Sequence, residues 1–188
     1  MTPVRPMRAD AVRNRRKILD AAGLQIATHG PEIGMDEIAD AAGVAVGTLY
    51  RHFPTKTDLL AAVIAVHVNE VADDAEASLE RAQASGRAVD EVVGFLERVA
   101  ESSAQNHAVK AAAQGLGIEG HGDHTDETRA GEALRTLLEL GKADGDVRPD
   151  ITLDDIYLLM ATAPTAQSAI VRRRWLDLIL PGITTTRN

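Results

Sequence analysis

Between Ala39 and Lys56 the chain reads Ala-Asp-Ala-Ala-Gly-Val-Ala-Val-Gly-Thr-Leu-Tyr-Arg-His-Phe-Pro-Thr-Lys. Hydroxyls, an imidazole and two cations crowd into its last nine residues, a set suited to holding an anionic polymer. Ile38, Ala39 and Ala42 lay a small apolar stripe on one short helix. Gly43 sits where that helix must stop with positive φ, a conformation that costs a residue bearing a Cβ about 1 kcal/mol or more. Val44 and Leu49 then point back into the corner, which leaves Val46, Gly47, Thr48, Tyr50, Arg51 and His52 facing outward. Two short helices crossing at a glycine turn form the geometry that seats one helix in a DNA groove.

The other chemistries that these residue types could serve find little support. The chain has no cysteine, so it carries no disulfide framework, thiolate nucleophile or zinc ribbon. No G-x-S-x-G elbow, P-loop or dinucleotide fingerprint occurs, and Glu97 and Glu101, one helical turn apart, read as a solvated acidic face. The sequence therefore predicts a protein that is not an enzyme and needs no cofactor. Gly117 to Asp126 brings together His121, Asp123, His124 and Asp126, residue types of a metal site, with His107 nearby in sequence. So glycine-rich a segment lacks a fixed second shell and is expected to be a solvated loop that holds no metal.

At 188 residues, 45% hydrophobic and 26% charged, the chain is long enough to bury a core and is not disordered by composition. Aromatics make up only 3%, and the dominance of alanine and leucine favours helices over sheet. The net charge of −8 divides unevenly. Residues 1–57 hold 8 Lys and Arg against 6 Asp and Glu, whereas the remainder holds 12 against 22. Phosphate binding depends on the local footprint, so a basic reading head on an acidic second domain fits a nucleic-acid partner.

Gly43 to Lys56, flanked by Ile18-Leu19-Asp20-Ala21-Ala22 and by Leu59-Leu60, resembles the signature of the TetR family of bacterial transcriptional repressors. The resemblance spans about residues 13 to 64, a quarter of the chain. It departs from the family at Gln25-Ile26, where Leu-Phe is usual, at Gly34, where a Thr or Ser cap is preferred, and at Ala45, where serine is common. The resemblance implies an all-α fold: an N-terminal three-helix helix-turn-helix DNA-binding domain (1–57) and a C-terminal helical ligand-binding and dimerisation domain (58–188). It implies backbone contacts by Thr48, Tyr50, His52 and Lys56, with packing of Tyr50 on helix 1 and a surface role for His52 as the alternatives. Base readout would fall to Val46, Gly47, Thr48 and Arg51, the last able to pair with guanine for about 1–3 kcal/mol of discrimination. Sparse polar readers leave part of the specificity to DNA shape.

Along the chain, Met1 to Asp10 has no apolar core of a signal peptide and reads either as a frayed tail or as an arm that follows the DNA through Arg5 and Arg8. Helix 1 is expected over Ala9–Thr28 with Ile18, Leu19, Ala22 and Ile26 buried. Its Arg13, Arg15, Arg16 and Lys17 precede the reading head, and Arg15 and Arg16 are candidate phosphate contacts. Helix 2 opens at Gly34 or Met35, helix 3 near Ala45, and helix 4 runs Lys56–Ala84 behind a Thr55-x-x-Asp58 cap. Further helices are expected at Ala88–Ser103, His107–Leu116, Asp126–Ala143, Leu153–Ala163 and Gln167–Leu180, the last stopped by Pro181-Gly182. The longest apolar run, Leu59 to Val66, is too short to span a membrane; the resemblance implies a cytoplasmic bacterial protein, with which the lack of cysteine is compatible.

The last two helices carry more apolar face than a small domain need bury. Leu158, Leu159, Ile170, Leu176, Ile179 and Leu180 are therefore expected to build a twofold homodimer interface. By resemblance, a small molecule of unknown identity binds among helices 4 to 8, with His67, Asn69, Phe95, Val99, His107, Met160 and Ala163 as candidate lining. The functional expectation is a dimeric repressor released from a palindromic operator by that ligand; the alternative is a DNA-binding protein that works without one.

Overall fold

A computed structural model of the chain describes residues 5–115 and 124–185. Among them are nine helices: α1 (Arg5–His29), α2 (Met35–Ala42), α3 (Val46–His52), α4 (Lys56–Ser85), α5 (Ala88–Gln105), α6 (His107–Gly115), α7 (His124–Ala143), α8 (Leu153–Thr162) and α9 (Ala169–Ile183). No helix among the described residues is long and apolar enough to cross a membrane. Contacts divide these residues into two units, 5–66 with 106–115 and 67–105 with 124–185. Besides the residues of the expected reading domain, the first unit therefore holds the opening of α4 and all of α6.

In the first unit, Ile18, Leu19, Ala22 and Ile26 recur at helical spacing on α1 and are buried. Ile38, Ala39, Leu49, Phe53, Leu59 and Leu60 of the same unit are likewise nearly or wholly sealed from solvent. Each turn has its own stop. Gly30 takes φ 86° and closes α1 with a bond from its N–H to the Ile26 carbonyl at 2.9 Å. The backbone N–H of Gly34 donates to the Glu37 carboxylate at 2.7 Å, so α2 starts without a hydroxyl cap. At Thr55 the cap is reciprocal: its N–H donates to Asp58 at 3.0 Å while the Asp58 N–H donates to Thr55 Oγ1 at 3.1 Å.

The second unit packs α5 against α7, α8 and α9. Its core joins Ala72, Ala75 and Ala82 of α4 to Phe95, Leu96, Leu134, Leu137, Ile156, Leu176 and Ile183. Buried Ser78 links α4 to α5: Arg98 donates to its Oγ at 2.7 Å and also pairs with Asp74 at 2.9 Å. After α9 the chain is pinned by a short bridge between Val147 and Thr184.

Several expected boundaries move. Helix 1 begins at Arg5 instead of Ala9, so residues 5–10 of the expected tail are helical. Residues 124–126 of the expected Gly117–Asp126 loop open α7, while His121 and Asp123 lie outside the described residues. Pro181 does not stop α9, which continues to Ile183. A proline in the last turn forfeits one helical hydrogen bond, but Thr184 N–H still reaches the Leu180 carbonyl at 3.0 Å, so the turn closes around it.

Candidate nucleic-acid interface

The helix-turn-helix geometry rests on Gly43, which adopts φ 65°, ψ 36°, the left-handed conformation. Its N–H donates to the Asp40 carbonyl, and Val44 N–H reaches back to Ala39, each at 3.0 Å. Two orphan carbonyls of α2 are satisfied in this way, and the chain turns sharply into α3. Ala45 caps α3 without a side-chain hydrogen bond. Leu49 and Phe53 anchor the inner face of the corner and are buried.

Of the six residues expected on the outer face of α3, four are exposed and two are half-buried. Val46, Gly47, Tyr50 and Arg51 are exposed, with Tyr50 keeping 47% of its surface in solvent. Thr48 is half-buried. His52 is half-buried too, and its Nε2 is sealed with no hydrogen-bond partner among the described residues. That nitrogen is not presented to an incoming phosphate.

The flanking cations occupy defined places. The Arg15 guanidinium lies 5.0 Å above the centre of the Phe53 ring, a cation–π contact from α1 to the residue that closes α3. Arg16 sits 4.0 Å from Asp20 on an exposed helical turn, a pairing of little energetic weight. Lys56 turns inward: its Nζ donates to the Ile33 carbonyl at 2.6 Å and to the Pro31 carbonyl.

His107 is exposed on α6 in the first unit, whereas His67, Asn69, Phe95, Val99, Met160 and Ala163 belong to the second. Asn69 joins a polar network instead, donating to Asp73 at 3.2 Å and accepting from Arg129 at 3.3 Å. Phe95 lines a void of about 10 Å³ with Val92, Leu96, Leu134, Leu138 and Ile156. A larger groove of about 200 Å³ lies between α5 and α9, where none of the expected lining residues is found. There Glu101 accepts from the nearly buried Arg172 at 2.5 Å, and Glu97 from Arg173 at 2.9 Å. The sequence reading of these glutamates as a solvated face missed both partners, which come from a helix more than 70 residues away.

The apolar face of the last two helices is only partly the expected one. Ile170 and Leu158 are 82% and 62% exposed. Leu159, Ile179 and Leu180 are partly buried against the core, and Leu176, at 4%, belongs to it. Arg172, Leu176 and Ile183 form the inward stripe of α9; Ile170, Val171 and Leu178 lie away from it, with Tyr157 exposed on α8. Val171, Leu178 and Tyr157 were not singled out from the sequence, because α8 and α9 are apolar on more than one side.

Known proteins match both parts of the chain. Residues 18–63 match the family described as bacterial regulatory proteins, tetR family. Residues 88–185 match the transcriptional regulator SbtR-like C-terminal domain. The transcriptional repressor LfrR of Mycolicibacterium smegmatis is 44% identical over 90 residues, 48% of this chain and 43% of that protein. An HTH-type transcriptional regulator of Staphylococcus aureus is 38% identical over 87 residues, 42% of this chain and 47% of that protein. These matches thus span less than half the length of either curated relative. Among solved structures, a TetR transcription regulatory protein from Mycobacterium vanbaalenii shares 31% identity and a TM-score of 0.75, covering 96% of this chain and 100% of its own. A TetR transcriptional regulator from Streptomyces coelicolor shares 28% identity and a TM-score of 0.66, covering 92% and 99%. An exposed polar helix on a glycine corner, followed by a helical second unit that matches over 88–185, places the chain in the TetR family of bacterial transcriptional regulators, a family of regulators and not of enzymes.

Proposed function

We propose that the protein is a homodimeric repressor that binds a palindromic DNA operator through α3 in the cytoplasm and leaves it when a small molecule binds the second unit. The observation that carries the DNA half is the two-sidedness of α3: Leu49 is sealed while Val46, Gly47, Tyr50 and Arg51 face solvent. Tyr50 and Thr48 donate hydroxyl hydrogen bonds to phosphates, Arg16 adds charge at the flank, and Arg51 reads a base edge. Gly47 lets the backbone approach the duplex, and Val46 meets a thymine methyl.

The exposed apolar residues Tyr157, Leu158, Ile170, Val171 and Leu178 support the twofold interface. Two copies joined there present two α3 helices to half-sites about 34 Å, or a multiple of it, apart. LfrR, 44% identical to this chain over 90 residues, is a transcriptional repressor, which supports that role here. Selection of bound fragments from random duplex DNA tests the reading. A palindromic consensus with fixed half-site spacing is expected; a monomeric chain that prefers no sequence over bulk competitor overturns it.

A second reading, DNA binding without an inducer, is favoured by one observation. The void around Phe95 is about 10 Å³, scarcely the room for one water, so a ligand there must first open the core. A release screen on the selected duplex separates the two: small molecules that lower occupancy support the inducible repressor, and uniform indifference supports the second reading.

A further inference from the structure

The exposed apolar face of the last two helices carries one acid and one base that have no partner. On α9, Arg174 stands a turn after Ile170 and Val171 and a turn before Leu178, all exposed. On α8, Asp154 stands a turn before Tyr157 and Leu158, which are exposed too. Residues three and four apart share a helix face, so each charge lies inside the apolar patch and not beside it.

The other charges of these helices are occupied. Asp155 accepts from the Thr152 N–H at 2.8 Å, Arg172 is held by Glu101, and Arg173 pairs with Glu97 at 2.9 Å and with Asp177 at 3.4 Å. Asp154 and Arg174 make no ion pair or side-chain hydrogen bond among the described residues. An acid in a first helical turn gains from the helix dipole, but a cation midway along α9 gains nothing of that kind. Covering the patch takes water from both groups, and a charge so covered is costly unless an opposite charge meets it.

We infer that the patch selects its own copy: Asp154 of one protomer pairs with Arg174 of the partner subunit, twice across the twofold. The occupant is a second copy of this chain because the patch holds one acid and one base. A twofold contact sets residue i against j and j against i, so charges left alone in the single chain become two pairs. The apolar residues around them exclude water, and a protein bringing a like charge to either position is rejected. The inference rests on the proposed dimer interface and adds to it the pair that chooses the partner.

The test uses the full-length chain without DNA, in sedimentation equilibrium and native mass spectrometry. Asp154→Arg and Arg174→Asp each set like charges at both contacts, so each variant alone should dimerise at least about a hundredfold more weakly than the wild type. Mixed, the two should form a heterodimer of about wild-type affinity, because every contact is again between opposite charges. Both changes in one chain should restore the homodimer. Should a reversal fail to fold in circular dichroism, the neutral substitutions Asp154→Asn and Arg174→Gln decide: together they should cost about as much as either alone, and additive losses overturn the inference.

A wild-type dimer whose affinity the reversals leave unchanged overturns the pair while the interface stands. Recovery in the doubly changed chain without recovery on mixing puts the pair within one chain and overturns it as well. A wild-type chain that stays monomeric overturns the interface and the pair together.

Discussion

Gly47 is the residue at which stability and the proposed function pull apart. It lies in α3 with ordinary helical backbone, and a methyl built on it meets no atom within 4 Å. Glycine in a helix is destabilising by roughly 0.5–1 kcal/mol relative to alanine. Gly47→Ala is therefore expected to stabilise the chain by about that amount, a rise of roughly 1–4 °C in thermal midpoint for a protein of this size. The same methyl stands on the face with Val46, Tyr50 and Arg51, where a duplex must come close. Binding to the selected operator should fall at least about tenfold, equivalent to 1.4 kcal/mol. Gly43→Ala is the control. That position also has open space around it, so its whole cost is the left-handed backbone, about 1–2 kcal/mol of lost stability. Circular-dichroism melts and a fluorescence-anisotropy titration on the duplex measure both quantities. If Gly47→Ala melts below the wild type, or binds the operator equally well, the account of α3 as a helix kept open for backbone approach is refuted.

Three further expectations follow from the second unit and from α6. Paired substitutions Leu158→Glu and Ile170→Glu place charges on exposed apolar positions and should leave folding intact while converting a dimer to a monomer in sedimentation velocity; a persistent dimer would move the interface elsewhere. At the start of α8, hydrogen bonds from the hydroxyl and then the backbone N–H of Thr152 hold the Asp155 carboxyl below its ordinary value. A depressed folded value contributes stability above the unfolded value and loses it as pH falls through the folded one, so Asp155→Ala should lower the thermal midpoint at neutral pH but progressively less below about pH 4. On α6, burial alone pushes the Lys110 ammonium below the usual lysine range. Because the unfolded chain holds that proton more tightly, stability should rise as pH climbs through the folded value, and Lys110→Met should raise the midpoint at neutral pH; a lower midpoint would mean the ammonium has a stabilising role.

The local rules in the sequence were enough for the elements and for the reading head. Helical spacing marked Ile18, Leu19, Ala22 and Ile26 as the buried side of α1, and Gly43 marked the corner because its conformation excludes most side chains. The Thr55-x-x-Asp58 cap fixed the start of α4 for the same reason: its partners are three residues apart. Such features depend on neighbours within one or two turns, so the order of residue types contains them. Pro181 shows where a local rule gave way, since the closing turn of α9 could still bond around it.

Contacts made over long stretches of chain were decided only by tertiary structure. Lys56 finds its carbonyls 23 and 25 residues back, Arg172 finds Glu101 across 71, and Arg129 reaches Glu76 across 53. A cation's sequence neighbours do not say which of many oxygens it will meet, because side-chain reach is short beside the distance that folding closes. The same holds for Leu176 and Ile170, alike in sequence as apolar residues of α9. Packing against α5 sent the first into the core and left the second in solvent, a choice set by how the helix is rotated on its neighbour and not by the hydrophobicity of either residue.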